Sequence, residues 1–386
     1  LARVPGSVIW EKPQGKNEPI RMEKRFTVVP RGVALVIGCS TFPTWNGYPG
    51  LFASLATGNT VIVKPHPGAI LPLAITVKVA REVLAEAGFD PDVVQLAAHE
   101  AGDDTAQDLA LRPEVKIVDF TGSTANGDWL EANARQALVY TEKAGVNQVI
   151  IDSAPDLKGV VRNLAFSLSL YSGQMCTAPQ NIYVPRDGIE TADGHVSFDD
   201  VAAALGTALD KLLADPAKAV EFTGAIQSEA TAARIEKARA LGLPVVADSR
   251  ELAHPQFEGA RVRTPLVLRA DAGNDALRQE WFGPIAFVVA TDSTEHSIER
   301  ARESVREHGA LTLAAYTRDD AVAARVQDAA GTGIDRPAAL PDEVDVLIVG
   351  SGPAGMLLAA QMSQYPDITT RIIEKREGRL VFFDDY

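Results

Sequence analysis

The feature that most constrains this chain is a repeated alternation of short apolar runs with amphipathic stretches between Val33 and Phe120. Val33-Ala-Leu-Val-Ile-Gly38 and Thr60-Val-Ile-Val-Lys64 are brief, rich in β-branched residues and bounded by turn formers. Strands that read as nearly continuous apolar runs are covered on both faces, which is the condition of a parallel sheet. Between them, Gly50 to Ala56 supports a helix that stops at Gly58-Asn59, and residues 70 to 87 form a longer amphipathic helix ending at Gly88. Val93-Val-Gln-Leu96 and Lys116-Ile-Val-Asp-Phe120 add two more strands. Strand–helix alternation of this kind implies a doubly wound α/β layer.

A second α/β region opens at Gln148-Val-Ile-Ile151. Helices are expected over 157–169, 198–214, 228–241 and 292–307, the last marked by Ile298, Ala301 and Val305 on one face. Strands are expected at Ile182-Tyr-Val184, Pro244-Val-Val246, Ile285 to Val289 and Leu311 to Tyr316. No internal repeat is evident. The 386 residues suggest two or three domains at roughly 150 residues each, and 46% apolar with 23% charged residues is a composition able to bury a large core.

The pattern changes after Gly333. Asp335-Arg-Pro-Ala-Ala-Leu-Pro-Asp342 reads as a linker, and a fresh strand, Val344 to Val349, runs into Gly350-Ser-Gly-Pro-Ala-Gly355. A helix and then Thr370-Arg-Ile-Ile-Glu374 follow. Strand, Gly-x-Gly-x-x-Gly, helix and an acidic strand end form the opening of a dinucleotide-binding unit. Gly350, Gly352 and Gly355 would face a pyrophosphate and Glu374 a ribose. Only about fifty residues are present, and a βαβ fragment without partner strands exposes apolar edges and should not hold a dinucleotide tightly.

A net charge of −14 argues against a nucleic-acid or anionic-membrane partner. Two cysteines in a chain of this length argue against a disulfide framework. No apolar run is long enough to span a membrane, and Leu1-Ala-Arg-Val-Pro-Gly6 has no signal pattern. The cytoplasm is the expected compartment. The first residue is not Met, so the natural N-terminus is expected upstream of Leu1.

Three motifs carry chemistry, in this order: Thr141-Glu-Lys-Ala-Gly-Val-Asn147, Tyr171-Ser-Gly-Gln-Met-Cys-Thr-Ala-Pro-Gln180 and Glu280-Trp-Phe-Gly-Pro284. Over residues 1–333 the ordered set resembles the aldehyde dehydrogenase superfamily. The resemblance implies a thiolate that adds to an aldehyde carbonyl, a thiohemiacetal that gives a hydride to nicotinamide, and a carboxylate that activates the water that cleaves the thioester. The resemblance implies Cys176 as nucleophile, its thiolate favoured by a helix start, and Glu142 as general base. It implies Asn46, in Pro43-Thr-Trp-Asn46, as an oxyanion donor together with the Cys176 N–H. Taken singly, a Cys is more often buried and inert, a Glu is often a surface charge, and an Asn beside Gly often makes a turn. Cys39 reads as a structural residue of a core strand.

For the cofactor, the resemblance implies Gly122 and Ser123, at a strand-to-helix turn, beneath a pyrophosphate. Lys64 would contact the adenosine ribose and Glu280 the nicotinamide ribose, with Phe282 packing nearby. Many relatives carry an acid three positions after that Lys, where this chain has Pro67. An acid there repels a 2′-phosphate, so NADP is admitted alongside NAD. No metal site is expected.

The implied fold is α/β and aldehyde dehydrogenase-like: a Rossmann-type NAD(P)-binding domain over 1–143 and an α/β catalytic thiol domain over 144–333. Residues 334–386 would be a linker and an incomplete C-terminal FAD-binding βαβ unit. Pro30 to Tyr48 looks closest to the PaaN-type enzymes of phenylacetate degradation, which implies a ring-opened semialdehyde from aromatic catabolism as substrate. The tail resembles the N-terminus of phenol 2-monooxygenase-type hydroxylases. Family members form homo-oligomers through an N-terminal arm and a C-terminal segment; here the first looks short and the second replaced. Two competing readings are an FAD-dependent aromatic hydroxylase fragment and a non-catalytic truncated or fused dehydrogenase-fold protein. Coenzyme A as acyl acceptor is a variant of the main reading.

Overall fold

In the computed structural model the described residues are 6–15, 17–143, 145–331 and the strand segments 346–349, 370–376 and 379–383. Leu1–Glu142 belong to one compact unit and Lys143–Asp342 to a second.

The first unit opens with a hairpin that the sequence reading did not anticipate. β1 (Ser7–Gln14) and β2 (Asn17–Arg25) pair antiparallel, with Trp10 opposite Met22. Val8, Ile9, Trp10, Ile20 and Met22 are all exposed. The sheet that follows contains β3 (Val33–Ile37), β4 (Thr60–Lys64), β5 (Val94–Leu96), β6 (Val115–Gly122) and β7 (Leu138–Lys143). Their spatial order is β5-β4-β3-β6-β7, and β3 pairs parallel with β4 and β6. Strand order therefore reverses at β3, and the crevice beyond the carboxyl ends of β3 and β6 is a topological switch point, where doubly wound sheets bind ligands.

Both faces of this sheet are apolar. Ala34, Val36, Val61 and Val63 pack with Leu51, Leu73 and Val77, which come from α1 (Pro43–Ala56) and α2 (Ile70–Glu86). Leu35, Ile37, Val118 and Phe120 pack on the other side with Ala110, Leu130 and Ala134, contributed by α3 (Thr105–Ala110), α4 (Thr124–Asn133) and the residue just after α4. The helix expected from Gly50 in fact starts at Pro43. Proline is well suited to a first helical turn, and two glycines inside the helix are contact points. A Cβ on Gly47 would lie 3.1 Å from Leu73 Cδ2, and one on Gly50 would lie 2.6 Å from Asp119 Cγ.

The second unit is built on six strands in the order Val245–Ala247, Leu266–Asp271, Ile285–Thr291, Asn181–Pro185, Gln148–Ile151, Leu313–Tyr316. The first pairs antiparallel and the others parallel. Alternate residues serve opposite faces. Val149, Ile182 and Val288 pack with Leu164, Val201 and Leu205 of helices Leu157–Ser169 and Phe198–Leu212. Ile150, Tyr183 and Phe287 pack with Ile235 and Ile298 of helices Glu229–Arg239 and Thr294–His308. The strand Leu266–Asp271 and the helix Asp320–Ala330 were not foreseen.

Strands Val346–Val349 and Thr370–Arg376 pair in parallel, with Arg379–Phe383 next in that sheet. Gly350, Gly352 and Gly355 of the expected FAD fingerprint lie outside the described residues, as does the side chain of Glu374. Among the described residues no helix is long and apolar enough to cross a membrane.

Candidate active site

In the second unit Cys176 lies in a turn between a short 3-10 segment, Leu170–Gly173, and the strand Asn181–Pro185. The expected helix start at Cys176 is absent: the helix of this region, Leu157–Ser169, ends before the motif. The loop is instead held by neutral amides. Asn147 Nδ2 donates to the carbonyls of Cys176 (2.6 Å) and Ala178 (3.2 Å), while its Oδ1 accepts from the N–H groups of Leu311 and Thr312. Its own carbonyl accepts from Gln180 N and Asn181 N. Every polar atom of a 3% exposed side chain is thus satisfied within the fold.

Gln180 extends the frame to the third motif. Its Oε1 accepts from Trp281 N at 2.7 Å and its Nε2 donates to Gln279 O at 2.9 Å, so one side chain grips the backbone on both sides of Glu280. Cys176, Glu280, Phe282, Asn147 and Gln180 consequently line a single narrow cleft of about 20 Å³. Burial raises the Glu280 carboxyl above its usual range, opposed by the Arg234 guanidinium, which donates to Phe282 O at 2.6 Å.

Just before the cysteine the backbone is strained. Tyr171 (φ 51°) and Ser172 (φ 53°) occupy the left-handed region, at roughly 1–2 kcal/mol per residue. The conformation is held by Ser172 Oγ donating to Arg263 O and accepting from Gly224 N, and by Gln174 Nε2 donating to Tyr171 O and Ala225 O. Gly173 is required here: a Cβ would sit 2.4 Å from the carbonyl oxygen of Gly283.

The first unit brings together Asn46 and Glu142. Asn46, on α1, donates through Nδ2 to Glu142 Oε2 at 3.2 Å, and its Oδ1 accepts from the Cys39 thiol at 3.6 Å. Cys39 was expected within a core strand; it lies past the end of β3, half-buried beside Asn46. In this structure the Asn46 amide therefore engages the carboxylate that the sequence suggested as base. A second carboxylate, Asp119 on β6, was passed over because its strand reads as apolar. It is 9% exposed, and burial followed by the charge of Glu142 pushes its carboxyl up to about 7.

At the carboxyl end of β4, Lys64 is 6% exposed and forms no ion pair among the described residues; burial lowers its proton affinity. Burial, Lys64 and His99 together lower that of His66. Both ring nitrogens of His99 are buried without a hydrogen-bond partner among the described residues. At the end of β6, Ser123 caps α4 by accepting from Asn126 N at 3.4 Å. A Cβ on Gly122 would lie 2.7 Å from the Phe120 ring. Lys64 and His99, with nitrogens lacking a partner among the described residues, half-buried His66, whose Nδ1 accepts from Gly68 N, and a capped helix start form a donor set suited to the phosphate and ribose oxygens of a nicotinamide dinucleotide. His66 and His99 are members of that set that the sequence did not single out.

The chain is also similar to known proteins. The model of the aldehyde dehydrogenase family matches residues 8–335. A solved NAD-dependent aldehyde dehydrogenase from Burkholderia multivorans is similar with a TM-score of 0.81 and 65% identity, over 86% of this chain and 60% of that one. An N-succinylglutamate 5-semialdehyde dehydrogenase of Hahella chejuensis is 28% identical over 286 residues, covering 71% of this chain and 54% of its own length. A lactaldehyde dehydrogenase of Methanococcus maripaludis is 26% identical over 275 residues, covering 71% and 57% respectively. The chain spans less than two thirds of the length of the relatives it matches.

Proposed function

We propose, for a chain that belongs to the aldehyde dehydrogenase family, that it oxidises an aldehyde to a carboxylic acid through a thioester on Cys176. The observation that carries this reading is the Asn147–Gln180 frame, which gathers Cys176, Glu280 and Phe282 around one cleft.

In the proposed reaction the Cys176 thiolate adds to the carbonyl carbon, and the backbone N–H of Cys176 and the Asn46 amide stabilise the developing oxyanion. Asn46 takes that role when its amide leaves Glu142, which frees the carboxylate in the same motion. Lys64, Gly122 and Ser123 would hold the adenosine and pyrophosphate portions of the cofactor, with Glu280 and Phe282 at its nicotinamide ribose. When bound, NAD or NADP supplies the hydride acceptor. Glu142 then removes a proton from the water that attacks the thioester, releasing the acid and restoring the thiol.

The same reading extends to finer points. Pro67 leaves no carboxylate to repel a 2′-phosphate, and the Lys64–His66–His99 cluster adds donors, so NADP is proposed to bind at least as well as NAD, although the Burkholderia relative is named for NAD. The segment Pro30–Tyr48 supports a PaaN-like enzyme acting on a ring-opened semialdehyde. Exposed apolar residues on the β1–β2 hairpin support a homo-oligomer. The tail from Val344 is proposed as an incomplete FAD-binding unit, so the chain should purify colourless; stoichiometric flavin would overturn that assignment. The function itself is tested by NAD(P)H formation from a panel of aldehydes: Cys176→Ala should abolish it with cofactor binding intact, and normal turnover by the variant would refute the assignment.

A further inference from the structure

Asp119 is out of place for its strand. A strand of a sheet covered on both faces should be apolar throughout, and Val118 and Phe120 on either side obey that rule. Asp119 is 9% exposed, makes no ion pair or side-chain hydrogen bond among the described residues, and lies beneath α1. The room for it comes from Gly50, where any Cβ would come within 2.6 Å of Asp119 Cγ and 2.9 Å of Oδ2. Asn46 is one helical turn before Gly50 on the same face of α1, so a single helix presents its amide to Glu142 and its missing side chain to Asp119.

An isolated buried carboxylate is expelled, neutralised or paired, because desolvation of the charged form costs several kcal/mol. Among the described residues no cation compensates it. α1 carries no charged side chain; the titratable groups on α1 and the surrounding elements are Tyr48 of α1, Glu142, Tyr140 and Lys143 of β7, Lys64 of β4, Lys116 of β6 itself, and Cys39 beyond β3. Glu142 is the one whose charge raises Asp119. Burial first, and then the Glu142 charge, keep Asp119 protonated above the usual carboxylate range.

We propose that Asp119 is a positioning residue for Glu142: beneath Gly50 it stands on the face of α1 from which Asn46 holds Glu142, and its own ionisation acts on Glu142 as base. No atom is exchanged with substrate. When Asp119 loses its proton through about pH 7, the added negative charge strengthens Glu142 as a base. This deepens the proposed thioester hydrolysis and rests on that reading.

The test is made on the full chain with two readouts. Infrared difference spectra between the natural protein and Asp119→Asn, from pH 5 to 9, need no turnover. A carboxylic-acid carbonyl band that disappears through about pH 7 and is missing from Asp119→Asn is expected; no difference band would show Asp119 ionised throughout and overturn the proposal. The second readout is the pH profile of steady-state turnover after the first burst. The natural protein should show a rise through about pH 7 that Asp119→Asn lacks, with rates similar at pH 6 and on the order of threefold to tenfold lower in the variant at pH 9. Gly50→Ala, which displaces the Asp119 carboxyl without removing it, should shift the same transition. A uniform drop at every pH would mark Asp119 as merely structural and refute the proposal. Absence of any NAD(P)H formation by the natural protein refutes the aldehyde-oxidising reading instead, and leaves the infrared result to decide the state of Asp119.

Discussion

The two units hold their functional groups by opposite means. Around Cys176 the frame is neutral and saturated: Asn147, Gln174 and Gln180 are all 5% exposed or less, and their amides are hydrogen-bonded to backbone. Around Glu142 the groups are charged or titratable and thinly bonded, with one 3.2 Å contact from Asn46 and with Asp119 and Lys64 forming no ion pair among the described residues. Fixed neutral dipoles aim a nucleophile without altering with pH. A sparsely bonded carboxylate is free to move, as the base role proposed for Glu142 requires. The second unit supplies geometry and the first supplies poise.

Changes in the saturated frame should be the more damaging. Asn147→Ala strands two carbonyls and two N–H groups at once, and with each unsatisfied buried group costing about 1–3 kcal/mol the total should be several kcal/mol. A clear fall in the denaturation midpoint, together with loss of the first burst of NAD(P)H, is expected; unchanged stability would mean that the frame is not needed. Gln180→Ala should act in the same direction but less strongly, seen as weakened cofactor binding through the loosened Glu280 turn. A variant with normal cofactor titration would separate the two motifs.

Changes in the titratable unit should alter pH dependence more than stability at neutral pH. The carboxyl of Asp119 is raised in the folded state, so the native protein binds more protons than the unfolded one between the two values. Stability is therefore full in acid and falls as the pH rises toward and through about 7. Asp119→Asn should flatten that fall in denaturant titrations from pH 5 to 8; an identical slope would contradict the assignment. The smallest expected effect is the cofactor preference. Paired titrations with NADP and NAD should favour NADP or be equal, Lys64→Ala should weaken both, and a clear preference for NAD would remove the role given to Pro67 and the histidine cluster.

Much of this was legible in the chain. The runs at Val33, Thr60 and Gln148 are buried strands because their β-branched residues leave no polar face, and Leu157–Ser169 carries an unmistakable helical stripe. Cys176 was legible from its motif company, while its setting in a strained turn was not, since left-handed Tyr171 and Ser172 are sustained by distant partners at Arg263 and Ala225. Asp119 escaped notice because a single acid in an apolar run is invisible to periodicity. Only the glycine on the facing helix shows why it fits. The hairpin of residues 7–25 was missed because its apolar residues face outward on both strands, so no buried face organises the pattern.

The central claim is the proposed pair of roles, Cys176 as nucleophile and Glu142 as the base that hydrolyses its thioester. Glu142→Gln examines it most directly, in a single-turnover reaction followed by intact mass spectrometry. The account predicts one equivalent of NAD(P)H per chain, then a stall, with an acyl group trapped on Cys176 and absent from the Cys176→Ala protein. Continued turnover, or a burst that leaves Cys176 unmodified, would contradict it.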